Sequence, residues 1–170
     1  MGLFSKLFSK KEQNQPAPEK RTVMNMKVGD IVTYEFHDFE VVGKLTLRDG
    51  SYEWYDYQLL GEEGTLWLSV EMDDELELAI YQKVKLQVSK PYPKKLTYDN
   101  KTYYLEEEGV ARVTGEGRSK NVHGMETHYA DYEDDSEESY LGLESWDTEV
   151  EVSTGYAIEP YELKIIAGSN

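Results

Sequence analysis

The sequence contains no cysteine, which excludes a disulfide framework, thiol catalysis and thiolate metal sites together. Positive charge is scarce: 18 Lys and Arg stand against 34 Asp and Glu, a formal net of −16. Phosphate backbones reward a cationic face through counterion release, so no nucleic-acid partner is expected of such a chain. No apolar run approaches the ~20 residues that span a bilayer. Aromatic residues are plentiful, with 14 Tyr, 4 Phe and 3 Trp in 170 residues. Together with a hydrophobic fraction of 39%, they describe one folded domain with a core, not a disordered acidic chain.

The charge is unevenly placed. Residues 1–22 hold Lys6, Lys10, Lys11, Lys20 and Arg21 against Glu12 and Glu19, whereas the rest holds 13 basic and 32 acidic side chains. A basic start on an acidic body marks a tail with its own partner. Leu3, Phe4, Leu7 and Phe8 share one face of a helical projection; Ser5, Lys6 and Ser9 fall opposite, and Lys11 lies where it can snorkel. The stretch is too short for a signal peptide, and Lys6 stands where a myristoylation motif needs Ser or Thr. The expectation is an interfacial anchor, with Leu3, Phe4, Leu7 and Phe8 inserting and Lys6, Lys10 and Lys11 on anionic headgroups. A disordered or self-docking start is the alternative. Residues 12–22, with Pro16 and Pro18, read as a flexible linker.

From Met24 onward the apolar period is two. Val32, Tyr34 and Phe36 alternate; Phe39, Val41, Gly43, Leu45 and Leu47 hold one parity. Further short runs centre on Tyr57, Leu68, Leu78 and Leu86, separated by turn signals such as Asp49-Gly50, Gly61-Glu-Glu-Gly64 and Asp73-Asp74. This is an antiparallel all-β pattern. The second half repeats it: Gly43 aligns with Gly109, Trp67-Leu-Ser-Val-Glu71 with Tyr140-Leu-Gly-Leu-Glu144, and Leu76-Glu-Leu78 with Val150-Glu-Val152. The offset grows because Gly115–Met125 is longer than the turn at Asp49-Gly50, and insertions belong in loops. A single β domain over 23–170 is expected, its halves about 23–89 and 90–170, packed as a sandwich or barrel-like roll.

Chemistry is less legible. His123 and His128 lie five apart near an acidic run, a spacing that suits neither helix nor strand, so they read as surface loop residues and no metal is expected. Asp131–Glu138 lacks an EF-hand's spacing and reads as a solvated charged face. Gly115-Glu-Gly-Arg-Ser-Lys120 is no phosphate loop and reads as a mobile hairpin loop. Among so many acids no catalytic pair stands out. The aromatics are more telling. Tyr52, Trp54, Tyr55 and Tyr57 cluster, and Trp67 has opposite parity to Leu66, Leu68 and Val70, so one core face cannot take them all. Rings among carboxylates can hold an organic cation; they can equally be cross-strand pairs that stabilise the sheet.

Lys27-Val-Gly-Asp-Ile-Val-Thr-Tyr34, Phe39-Glu-Val-Val-Gly43, Trp54-Tyr-Asp-Tyr-Gln-Leu59, Trp67-Leu-Ser-Val-Glu71 and Tyr156-Ala-Ile-Glu-Pro-Tyr-Glu-Leu163 resemble an uncharacterised bacterial family, domain-of-unknown-function family 4178. The resemblance spans roughly residues 24–166 and implies a β-rich protein with no assigned catalytic residue. It also implies a neighbourhood of membrane-stress components similar to phage shock protein A, small membrane proteins and aminopropyltransferase-like enzymes.

The resulting expectation is a non-enzymatic accessory protein of a bacterial cytoplasm, without cofactor. Its tail would bring it to the inner membrane face, in a membrane stress response, and its β-domain would meet a protein partner there. The alternative is a soluble module for a cationic small molecule such as a polyamine, with Tyr52, Trp54, Tyr55, Tyr57 and Trp67 as the ligand or partner surface. An enzyme would instead need a concave pocket holding a carboxylate or His with a strongly displaced pKa.

Overall fold

In the computed structural model, which describes residues 19–169, the period-two pattern becomes eleven antiparallel strands. They are β1 (Ile31–Tyr34), β2 (His37–Asp49), β3 (Tyr52–Gly61), β4 (Gly64–Met72), β5 (Leu76–Val84), β6 (Lys95–Tyr98), β7 (Lys101–Gly117), β8 (Glu126–Asp134), β9 (Ser139–Trp146), β10 (Glu149–Ile158) and β11 (Leu163–Ile166). Hydrogen-bonded neighbours run β11-β1-β2-β3-β4-β5-β10-β9-β8-β7-β6. A further pairing of β2 with β7 closes β2–β5 and β7–β10 into an eight-stranded barrel, leaving only the short strands β11 and β6 as edges. The tail residues Leu3 to Lys11 lie outside the described residues.

The two sequence halves are the two halves of this barrel. Each begins with a short strand and a tight turn into a long strand: Glu35-Phe36 after β1, Asp99-Asn100 after β6, all four with positive φ. Each long strand then carries a register shift, between Val41 and Gly43 on β2 and between Leu105 and Glu107 on β7. These landmarks make Glu107, not Gly109, the counterpart of Gly43. The same two-residue slip recurs where Leu68 answers Leu143. A slip of two keeps every side chain on its face, which is why the repeat is visible in spite of it.

The register shift on β2 also re-aims its side chains. Val41 packs outside the barrel wall with Tyr57, Leu59 and Leu68, while Leu45 and Leu47 point inward to Trp54. One numerical parity therefore crosses the wall. The outer apolar faces are covered twice. Over β3–β5 lie β1, the first part of β2, Val23 and Met26; over β8–β10 lie Tyr92, Tyr103 and the half-buried Leu86, Val88 and Leu96. The alternation through Leu86 and Val88 is thus an unpaired strap and not the expected strand: residues 85–94 make no ladder, and their apolar side chains serve the second outer core.

Asp30 ties the first cover in place. Its carboxylate accepts from the Lys27 and Gly168 backbone N–H groups, both at 2.8 Å, and from Arg21 Nε at 2.8 Å. Burial raises its pKa, but the two backbone hydrogen bonds and the guanidinium outweigh burial and hold it below the ordinary carboxylate value. Arg21, expected in the linker, is therefore part of the ordered domain.

Candidate functional site, an acidic aromatic lumen

Inside the barrel, β2 and β7 bring Leu45, Leu47, Ala111 and Val113 against Trp54 and Tyr129, while the inward side of the other strands is largely polar. β3 contributes Trp54, Asp56 and Gln58; β4 contributes Trp67, Ser69 and Glu71; β5 contributes Tyr81 and Lys83. From the other half come Tyr129 and Asp131 on β8, Glu144 and Trp146 on β9, and Glu151 and Ser153 on β10. They line a cavity of about 370 Å³, a size that suits a small organic ligand. All 3 Trp of the sequence and five carboxylates converge on it, against two basic side chains, Lys83 and Arg118.

Glycines shape both ends of this space. Residues 118–122 form a short 3₁₀ turn that closes on the barrel interior, where a Cβ on Gly115 would strike the Ser119 carbonyl. The segment expected to be a mobile loop is thus a fitted wall piece, with Arg118, Ser119, Asn121 and Val122 on the lumen. Ser119 is only 4% exposed, with its Oγ packed toward Gly43 and Gln58. Gly155 likewise leaves room for the Tyr81 ring, which a Cβ there would meet.

The carboxylates are poorly solvated and close enough to repel. The Asp56 and Glu144 carboxyls line the same cavity and act on each other electrostatically. Burial first, then the neighbouring acids, raises both: Glu144 acts on Asp56, and Glu151 on Glu144. Ser69 opposes the rise at Asp56, and Trp146 opposes it at Glu144. Asp131 is pushed up to about 7 by burial and by the charges of Glu71, Glu107 and Glu144. Burial also raises Glu71, against the opposing hydrogen bond from Tyr52 Oη at 2.8 Å. Among the described residues no three His, Asp or Glu side chains are arranged to hold a metal ion.

Of the aromatic residues singled out in the sequence, the structure brings Trp54 and Trp67 into the lumen and puts Tyr52 beside Trp54, ring centroids 5.5 Å apart. Tyr55 and Tyr57 face the other way, into the first outer core, with Lys44 Nζ 4.6 and 5.3 Å from their rings. Asp131 departs from the expected solvated acidic face, because it sits on the inward side of β8 while Asp135 to Glu138 form the exposed turn. His123 and His128 are separated: Nδ1 of His123 accepts the Gly115 N–H at 3.2 Å, whereas His128 lies by Glu108 and stacks on Tyr92. Missed in the sequence were Asp56, Glu71, Tyr81, Glu144, Trp146 and Glu151. The parity of Trp67 against Leu66 and Leu68, and of Trp54 against Tyr55 and Tyr57, was the visible sign that the polar side of these strands is a second interior.

Residues 27–160 match the family described as a domain of unknown function, DUF4178. The chain belongs to that family. It is 31% identical over 147 residues to an uncharacterised protein of Mycobacterium bovis and, at the same identity, to uncharacterised proteins of two Mycobacterium tuberculosis strains. Each match covers 81% of this chain and 69% of the relative. No solved structure matches. The family segment contains every strand of the closed barrel, and among the described residues no helix is long and apolar enough to cross a membrane.

Proposed function

We propose that the domain is a binding module that takes a small organic cation, of the polyamine class, into the barrel lumen. The observation that carries this is the convergence of five carboxylates and all three Trp on one cavity of about 370 Å³. Indole faces attract an ammonium through their quadrupole, more strongly where water is excluded. Carboxylates kept from bulk solvent gain most from an arriving positive charge, since their mutual repulsion is relieved at the same time. Calorimetric titration with spermidine at physiological ionic strength tests it. Saturable one-to-one heat that persists in added salt supports a site; heat that fades with salt means condensation on an acidic surface.

A second reading is favoured by one observation, the buried and mutually repelling carboxyls of Asp56 and Glu144 on one cavity wall. A carboxyl pair of that kind, beside an acid displaced toward neutrality, is what general acid–base chemistry on a cationic substrate would use. Recovery of unchanged spermidine after long incubation supports the module, and a converted product supports the enzyme. Recruitment to the inner membrane surface by Leu3, Phe4, Leu7 and Phe8 with Lys6, Lys10 and Lys11 is proposed on the sequence alone.

A further inference from the structure

The mouth of the lumen already holds an alkylammonium group, and it belongs to the protein. Lys83 Nζ lies 3.1 Å from Glu151 Oε2 and 5.6 Å from the centre of the Trp67 ring. Its charge is also felt by Glu144, deeper on β9. The Lys83 side chain is 52% exposed and that of Glu151 40%, so the lysine reaches the site from outside and can leave it without crossing packed protein. Trp67 and Glu151 thus hold an alkylammonium group on the cavity wall between one indole face and one carboxylate.

Resting on the reading of the lumen as a cation site, we propose that Lys83 is a tethered stand-in for the terminal primary ammonium of the ligand. In the free protein it screens Glu151 and covers Trp67. On binding it swings into solvent, the ligand's ammonium takes its place, and the alkyl chain runs inward toward Asp131 and the Asp56–Glu144 pair. The arrangement selects a linear primary amine, because a bulky quaternary ammonium cannot donate to Glu151 as Lys83 does. It also sets the affinity, since every ligand must first displace the lysine.

The test is spermidine binding to the full chain by tryptophan fluorescence and calorimetry, comparing wild type, Lys83→Met and Lys85→Met. Removing the competitor releases an ion pair and a cation–π contact at the mouth, and the dissociation constant of Lys83→Met should fall about tenfold. Lys85→Met removes the same charge two residues along the chain and should change it by less than about twofold once salt screens the long-range field. If wild type binds and Lys83→Met binds equally or more weakly, the stand-in role is wrong while the luminal site survives. If both lysine variants tighten binding alike, only net charge matters and the stand-in role is again wrong. If neither wild type nor Lys83→Met binds, the luminal reading falls and the role of Lys83 falls with it.

Discussion

The outer cores and the lumen are two sides of the same strands, yet they follow opposite rules. Outside the barrel wall, Tyr57, Leu59, Leu68 and Val70 on one half and Tyr132, Leu141 and Leu143 on the other are buried among apolar neighbours. Inside, the strands that carry them present Asp56, Ser69, Asp131 and Glu144. Small barrels ordinarily fill their interior with apolar side chains. Here the covers built from β1, β11, Tyr92 and the 85–94 strap supply burial on the outside, and the apolar cluster inside is confined to Leu45, Leu47, Ala111 and Val113 around Trp54 and Tyr129, which leaves the facing strands free for polar chemistry. The two outer cores and the luminal carboxylates are separated by one layer of backbone.

That separation can be attacked from either face. The largest effect is expected from Leu68→Ala or Leu141→Ala, both fully buried in the outer cores; each should cost about 2–5 kcal/mol in urea unfolding while leaving luminal ligand affinity little changed in the folded fraction.

Luminal carboxylates should behave in the reverse sense. The Asp131 pKa is raised from 3.8 to about 7, so the folded state holds a proton that the unfolded state has released. Its contribution to stability is complete below about pH 4 and is lost as pH rises toward about 7, by at most about 4 kcal/mol. Asp131→Asn should flatten that slope and stabilise the protein at pH 8. A thermal unfolding series against pH, wild type beside variant, measures it. A variant that is less stable at pH 8 would mean that the acid is needed structurally.

Asp30→Ala addresses the cover alone, leaving Arg21 and the Gly168 and Lys27 N–H groups without their acceptor. A loss of about 1–3 kcal/mol is expected. The sign with pH is opposite to that of Asp131, since Asp30 is held below its ordinary value: its stabilisation is present at neutral pH and lost on acidification through the carboxylate range. Hydrogen exchange in β1 and β11 should rise before exchange in β8 and β9. Smallest of all, replacing Leu7 and Phe8 by Glu should abolish liposome co-sedimentation and leave the melting temperature unmoved; unchanged pelleting on anionic vesicles would remove the membrane proposal.

Strand content, the turns and the existence of two related halves were all readable, because period-two alternation and insertions in loops leave direct marks on a sequence. The register shifts at Val41/Gly43 and Leu105/Glu107 were not, since a bulge moves later side chains to the other face without disturbing the alternation itself. The unpaired strap was misread for a related reason: Leu86 and Val88 alternate as a strand would, and only the absent neighbour tells them apart. Asp56 and Glu144 look like any solvent-facing acids in an amphipathic strand. Barrel closure, which depends on β2 meeting β7 far along the chain, is what turns that face inward. Trp54 and Trp67, bulky on the polar side of their strands, betrayed a second interior.

The most direct measurement is an NMR titration of the nitrogen-labelled full chain with spermidine at physiological ionic strength. The 3 Trp indole N–H signals report the lumen; the amides of Tyr132 and Leu141 report the outer core. Saturable shifts of the indole signals of Trp54, Trp67 and Trp146 at one common dissociation constant, with far smaller shifts in the outer core, are the predicted result. Indole signals that stay in place while exposed acidic turns such as Asp135 to Glu138 shift without saturating would contradict a luminal cation site.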